Sequence, residues 1–415
     1  MWPLPPRCLL LVALMPALCA HADMPGFVGG HAKLQGTASL YPEGSLWREA
    51  LGGSEFDRGG ELRLRWQQRA GDWEAAADYQ LLTRHRQAPA LPLAPGAGQS
   101  ALPDDERRWW NLTHEIDSSD DSLTLQRLDR LHIGYTSERV VLRLGRQAVS
   151  WGNGLLFNPV DVFNPFDPTA IDTEYKTGDD MLYAQYLLPS GSDWQLVQVQ
   201  RRDEQGRVNS AVSSSALKFH GFGLEREYDL MLAQHFDELL LAAGASSNVG
   251  QAVVRADLLF ADTKEGWIGS AVVNATWSSI WGERNVSGVL QYFFNGHGLR
   301  ETDYDPETLA REQALLTRLQ RGELFTLGRH YLAASLLVEM TPLLQLTPSL
   351  FANPGDGSAL AQLALRWDVR QDWQLLGALN LPLGPAGTEY GGIRAGQGGN
   401  LSTGPALFAQ LAWYF

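Results

Sequence analysis

Apolar and polar residues alternate along almost the whole chain, and no stretch after Leu18 is long and apolar enough for a membrane-crossing helix. In residues 61–67, ELRLRWQ, Leu62, Leu64 and Trp66 share one face of a strand, and Glu61, Arg63, Arg65 and Gln67 share the other. Trp73, Ala75, Ala77, Tyr79 and Leu81 oppose Glu74, Asp78 and Gln80 in the same way. Val254, Ala256, Leu258 and Phe260 oppose Arg255 and Asp257, and Leu363, Leu365 and Trp367 oppose Gln362, Arg366 and Asp368. Each segment is close to the roughly 10 residues a tilted membrane strand needs. So many strands must hide their edges, and full closure hides all of them. The pattern therefore predicts an all-β fold: an antiparallel up-and-down transmembrane β-barrel of about 18 strands, with 16 as the alternative count.

The first residues set the compartment. MWPLPPRCLLLVALMPALCAHA, residues 1–22, carries Arg7, an apolar run from Cys8 to Leu18, and the small-x-small site Ala20-His21-Ala22. We read it as an export signal cleaved after Ala22, leaving residues 23–415 as one barrel. A lipoprotein reading through Cys19 is disfavoured by Leu18 just before it. Both cysteines fall in the leader, so the mature chain has no disulfide, thiolate metal ligand or cysteine nucleophile.

Link lengths give the strands a polarity. The long links, 42–57, 85–122, 150–178, 297–322 and 384–402, each follow an odd strand, and short turns such as 70–72, 190–192 and 370–372 follow even ones. That asymmetry fits short periplasmic turns and long outer loops. Trp66, Trp73, Trp194, Trp277, Trp367, Trp373 and Trp413 then fall at the periplasmic strand ends, as does the terminal Phe415, with lipid-facing parity. Such a collection at one end is expected of an aromatic girdle at the headgroup boundary. Trp109, Trp110, Trp151 and Trp281 are expected near the outer rim, as sugar-stacking platforms or an upper girdle.

With a leader, a cysteine-free mature chain and Phe415 closing an alternating strand, the sequence resembles Gram-negative outer-membrane β-barrels of the porin type. Residues 144–168, LGRQAVSWGNGLLFNPVDVFNPFDP, resemble segments of large proteobacterial channels in the broad set that includes alginate-export-like porins, with no single family closely matched. The last strand departs from the pattern at Gln410, where insertion signals often carry Gly. The resemblance implies outer-membrane lipid and lipopolysaccharide as surroundings and the barrel-assembly machinery as a partner through the C-terminal strand. It also implies an inward-folded loop after the fifth strand.

Inward parity selects Arg63, Arg65, Arg84, Arg130, Arg139, Arg143 and Arg255 as pore-lining, with Lys218, Arg329 and Arg366 further round. Glu74, Asp78, Asp229, Asp257, Glu339 and Asp368 share that face. Unpaired buried charges are too costly for a dry core, so water is the expected filling. The acidic residues Asp161, Asp167, Asp172, Glu174, Asp179 and Asp180 are expected on a constriction loop facing the arginines, an arrangement that selects ions. The expected function is passive diffusion of small polar or charged solutes, saccharides included. An occluded accessory or scaffold barrel acting with a partner is the alternative. A hydrolase built on Ser215, His220, His235 and Asp229 is a third reading, with no motif framing it. No cofactor is expected. The acidic loops lack the regular spacing of a calcium site, and a net charge of −14 disfavours nucleic acid. Mass spectrometry of the exported protein is expected to give an N-terminus at Asp23; an intact leader would overturn the cleavage reading.

Overall fold

The computed structural model describes residues 25–86, 104–223, 226–300, 304–395 and 398–415, so the leader and its cleavage position lie outside the described residues. Strands β1 (Phe27–Leu40), β2 (Ser54–Ala70), β3 (Trp73–His85), β4 (Thr113–Ser118), β5 (Ser122–Thr136) and β6 (Val140–Gln147) open the sheet. They are followed by β7 (Asp179–Leu187), β8 (Asp193–Val199), β9 (Ser214–Gly223), β10 (Arg226–His235), β11 (Glu238–Val249) and β12 (Ala252–Thr263). Next come β13 (Gly266–Trp281), β14 (Arg284–Phe294), β15 (His330–Thr341), β16 (Leu344–Asn353), β17 (Ser358–Arg370) and β18 (Trp373–Leu383). Two short strands, β19 (Ile393–Arg394) and β20 (Asn400–Leu401), pair with each other before β21 (Ala406–Tyr414). Helix α1 (Leu46–Leu51) lies in the first long link, and α2 (Pro306–Arg311) and α3 (Gln313–Arg321) lie in the link from β14 to β15.

Consecutive strands pair antiparallel, and β21 pairs with both β18 and β1, from His31↔Tyr414 to Ser39↔Ala406. The main sheet has 19 strands; setting β4 aside leaves a closed ring of 18. β4 instead lies along the outer half of β5, from Thr113↔Arg127 to Ser118↔Leu123, beyond the reach of β6, which pairs only with Leu131–Thr136. Closure is the physical requirement here, because an unpaired amide or carbonyl in hydrocarbon costs several kcal/mol.

The strand count and polarity expected from the sequence hold. Links 41–53, 86–121, 148–178, 295–329 and 384–405 all leave odd strands of the ring, and even strands end in turns such as 71–72, 250–251 and 371–372. Leu142, Leu144, Leu182, Leu196, Leu230, Leu232, Leu258, Phe260, Leu290, Leu332, Leu363, Leu379, Leu407 and Leu411 form an exposed apolar belt. Each occupies the parity opposite to the charged wall residues, which is the period-two signature of a sheet wet on one face and apolar on the other.

Two local breaks in the alternation matter. Between β3 and β5 the register jumps: Asp78 pairs with Arg130 but Tyr79 pairs with Leu128. The bulge turns Arg127, Asp129 and Arg130 to the same inner face. At the end of β6, Gly145 has φ +136°, and a Cβ there would lie 2.1 Å from the Leu131 carbonyl oxygen. Only glycine fits this bend, which brings β6 close against β5 two residues before the strand ends.

Several expectations are corrected. Arg139 is an exposed residue of the turn between β5 and β6, because β5 runs to Thr136. Arg329 precedes β15, outside the wall. Trp281 ends β13, a strand long enough to carry it to the short-turn end. Asp179 and Asp180 are the first residues of β7, not of the loop. Gly145→Ala is expected to lower stability by at least about 1–3 kcal/mol, the cost of strained backbone before any clash. The midpoint of urea unfolding of the refolded barrel checks this, and an unchanged midpoint would show that the bend is not needed.

Candidate functional site

Residues 148–178 run around the inside of the barrel. Trp151 Nε1 donates to Gln195 of β8 at 2.8 Å, and the Asn153 backbone and side-chain amides donate to Asp257 of β12 at 2.5 and 2.7 Å. The Leu155 and Leu156 amides both donate to Gln291 of β14 at 3.0 Å. The Thr169 carbonyl accepts from Gln362 of β17, and Asp172 accepts from Lys33 of β1 at 2.7 Å and from Gln410 of β21 at 2.9 Å. Glu174 meets Lys33 at 2.7 Å and accepts from Tyr414 at 3.0 Å. These bonds tie the loop's polar groups to the wall at five places around the ring, as burial requires.

This packing divides the lumen. Trp151, Val160, Val162 and Phe163 join Met181, Val197, Val199, Ala216, Met231, Ala233, Leu240, Ala242, Leu259 and Ala261 in one dry cluster on the inner face of β7–β12. Phe157 packs with Val272, Phe293, Tyr331, Ala333, Phe351 and Leu360 on β13–β17. The expectation of a wholly water-filled lumen is thus corrected: the inner faces of these strands carry apolar side chains, and the loop covers them. Trp151, expected at the rim, is buried here. Above the mouth, α2 and α3 pack through Leu309, Leu315 and Leu319 against Leu299, Tyr304, Leu327 and Ile393.

What remains open lies against β1–β5. A cavity of about 440 Å³ is lined by Lys33, Arg63, Arg84, Arg108, Arg127 and Arg321, by Glu61, Asp104, Asp129 and Asp172, and by Phe166, Ile171, Tyr175, Phe325 and Phe408. A network orders its basic wall. Asp129 meets Arg63 and Arg130 at 2.8 Å and Arg127 at 3.4 Å. The Arg63 guanidinium lies 4.1 Å from the Tyr175 ring centre, fixing the returning arm of the loop to β2. Arg127 is 2% exposed; its Nη2 makes the 3.4 Å ion pair with Asp129 without hydrogen-bond geometry, and its Nε has no hydrogen-bond acceptor among the described residues.

A second network joins the wall to residues 104–112. Fully buried Arg146 pairs with Asp180 at 2.8 Å and Asp105 at 2.7 Å, and its Nη2 donates to the Trp110 carbonyl at 2.7 Å. Arg108 pairs with Asp105 at 2.7 Å and Asp179 at 3.5 Å, and Arg201 with Asp179 at 2.8 Å. Burial alone would raise the Asp105 carboxyl, but the hydrogen bond and charge of Arg146, aided by Arg108 and Thr113, hold it at about 2.

Of the pore-lining candidates, Arg63, Arg65, Arg84 and Arg130 share the inner face of β2, β3 and β5, and Arg143 pairs inward with Glu74 at 2.9 Å. Arg255 is inward on β12, beyond the dry cluster, donating to Thr276 at 3.1 Å. Among the acids, Asp161 grips Lys176 within the loop at 2.6 Å, and Asp167 accepts from the Thr169 amide and hydroxyl. Asp172 and Glu174 reach Lys33 rather than the arginines. Sequence reading missed Lys33, Arg108, Arg127, Arg146, Arg201 and Arg321. The run RLDR at 127–130 does carry the signal for Arg127: its inward alternation reads from both ends and collides at 129 and 130.

Trp73, Trp194 and Trp367 are exposed on the apolar face at the short-turn end. Trp66 abuts Phe27, Trp413 stacks on Trp373 and touches Phe415, and the Trp277 ring lies over Gly288. Trp109 and Trp110 stack at 4.9 Å. Of the Ser215, His220, His235 and Asp229 grouping the His220–Asp229 pair forms, at 2.9 Å, but Ser215 donates to Gln198 and His235 sits between Ser214 and Glu323.

No protein-family model matches the chain, and no curated protein sequence matches it. Among solved structures, Wzi of Escherichia coli, an outer-membrane protein involved in group 1 capsule assembly and a carbohydrate-binding β-barrel, is similar with a TM-score of 0.53. The match covers 97% of this chain and 87% of that one at 10% identity. OccAB4 of Acinetobacter baumannii is similar with a TM-score of 0.51, over 93% of this chain and 98% of that one, also at 10% identity. The likeness is one of fold, the porin-type outer-membrane β-barrel.

Arg146→Met leaves buried Asp180 without a cation and takes one of two close cations from Asp105, and is expected to destabilise the barrel by about 3–5 kcal/mol at neutral pH. Asp105 is depressed in the folded state, so its contribution is present above the ordinary aspartate range and lost as pH falls through about 2. Urea midpoints of the two proteins should converge toward pH 2; a gap independent of pH would contradict this account.

Proposed function

We propose that the protein is an outer-membrane channel for passive diffusion of small polar solutes, with anions favoured. The observation that carries this reading is the cavity against β1–β5, where six basic side chains face four acidic ones. Charged walls of this kind hold water, because drying them would strand ions. Arg127 adds a buried guanidinium to the basic wall, paired with Asp129 at 3.4 Å, and its positive charge contributes to the field that a passing anion meets. The apolar flank formed by Phe166, Ile171, Phe325 and Phe408 narrows the route without binding ions. The constriction is thus the returning arm of residues 165–177, and Asp172 and Glu174 shape it by anchoring on Lys33.

In this reading the apolar belt spans the bilayer. Trp66, Trp73, Trp194, Trp277, Trp367, Trp373, Trp413 and Phe415 mark the inner headgroup boundary. Lipopolysaccharide surrounds the loop end, and the assembly machinery engages β21. The dry clusters favour a second reading, in which the loop and the roof made by α2 and α3 close the lumen and the barrel serves a partner.

Single-channel recording in planar bilayers under a salt gradient separates the two. The channel reading expects discrete steps with an anion-selective reversal potential. Arg127→Gln should lower the anion-to-cation permeability ratio by about twofold or more, and neutralising Asp167, Asp172 and Glu174 should alter the reversal potential. Silence from a correctly folded barrel would leave the occluded reading.

A further inference from the structure

A second cavity, of about 360 Å³, sits at the loop end of β14–β16, lined in part by outward-facing residues of the wall. Phe294 and His330 line it and pair across β14 and β15. Both share the outward parity of Leu290 and Leu332, which are exposed in the apolar belt. Tyr292, on the same face, donates to or accepts from His330 Nδ1 at 2.8 Å, so the imidazole is held in place by one nitrogen. The cavity therefore stands where the apolar belt gives way to the polar rim.

Two cations crown it. Arg329 Nε donates to the Gly298 carbonyl at 3.1 Å and Nη2 to the Gly296 carbonyl at 3.4 Å, and its guanidinium lies 5.9 Å from the centre of the Phe294 ring. Arg300 lines the same cavity and is exposed. Among the described residues no carboxylate comes within ion-pair distance of either guanidinium. Burial first, and then the charge of Arg300, pull Arg329 below its ordinary value, with Glu312 offsetting only part. Like charges held together on an aromatic floor call for an anion between them. Of the remaining lining, Tyr304 and Asn353 are buried and joined by a hydrogen bond of 2.9 Å, which fixes the inner wall of the pocket.

We propose that this pocket binds the phosphate of an outer-leaflet glycolipid headgroup, with Arg300 and Arg329 holding the phosphate and the acyl chains lying on the apolar belt below. A free phosphate would gain nothing from Phe294 or from the belt residue Leu332 below it; a lipid uses both the charged and the apolar half of the site. The assignment rests on the membrane orientation proposed above and is independent of whether the lumen conducts.

Native mass spectrometry of the full-length barrel in detergent tests it, with diphosphorylated lipid A, dephosphorylated lipid A and inorganic phosphate as separate probes. Retention of diphosphorylated lipid A is expected, with loss of the phosphates or Arg300→Ala weakening it about fivefold or more. Arg300→Lys should retain most of it. Arg300 is exposed, so its variants keep the fold, and heat-modifiable migration on gels verifies this. Equal retention of both lipids, or an Arg300→Ala variant that binds like the parent, would overturn the site. Displacement of the lipid by millimolar inorganic phosphate would assign the pocket to the free anion and overturn the lipid reading. A silent barrel that still retains lipid A would fail the channel reading alone.

Discussion

An open strand edge in hydrocarbon is forbidden by the cost of unpaired backbone groups, and the pairing of β21 with β1 is what removes the last one. Everything inside follows from the size of the ring that closure produces. With 18 strands the wall encloses more space than its own side chains can fill. The chain must either leave that space wet or spend residues filling it. This protein does both, and the division follows the chemistry of the wall. Strands β7–β17 present Val, Ala, Leu, Met and Phe to the inside, with polar residues such as Asp257 and Gln291 where the loop docks, whereas β1–β5 present Lys, Arg, Glu and Asp.

The loop of residues 148–178 mediates between the halves because its sequence is itself divided. Its first part carries Trp151, Phe157, Val160, Val162 and Phe163, which seek the apolar side. Its return carries Asp172, Glu174, Tyr175 and Lys176, which find Lys33, Arg63 and Asp161. Asp257 and Gln291 accept from the Asn153, Leu155 and Leu156 amides where the loop crosses the wall, which satisfies buried backbone in a segment without regular structure. The electrostatic character of the open half is thereby set by wall residues, with the loop's acids largely consumed in holding the loop.

The fold was legible because each of its determinants is local. Period-two alternation in segments such as residues 61–67 and 254–260 gives the strands, and the placement of Trp73, Trp367 and Trp413 gives their polarity. The inward face of Arg63, Arg65, Arg84 and Arg143 was legible for the same reason. Arg127 escaped because a bulge reverses parity in mid-strand, and Arg146 because its partners Asp105 and Asp180 lie 41 and 34 residues away. The dry half escaped for a different reason. Ala, Val and Met at inward positions of β8–β12 read as weak alternation, and only the tertiary destination of Trp151 and Phe163 reveals that they are a core.

Asp172 and Glu174 touch both sides of the seam: Lys33 on β1, and Gln410 and Tyr414 on β21. The first and last strands of the ring are thus bridged from within by residues more than a hundred positions from either. The seam is therefore closed twice, by the backbone ladder from His31↔Tyr414 to Ser39↔Ala406 and by side chains of a loop that belongs to neither of its strands.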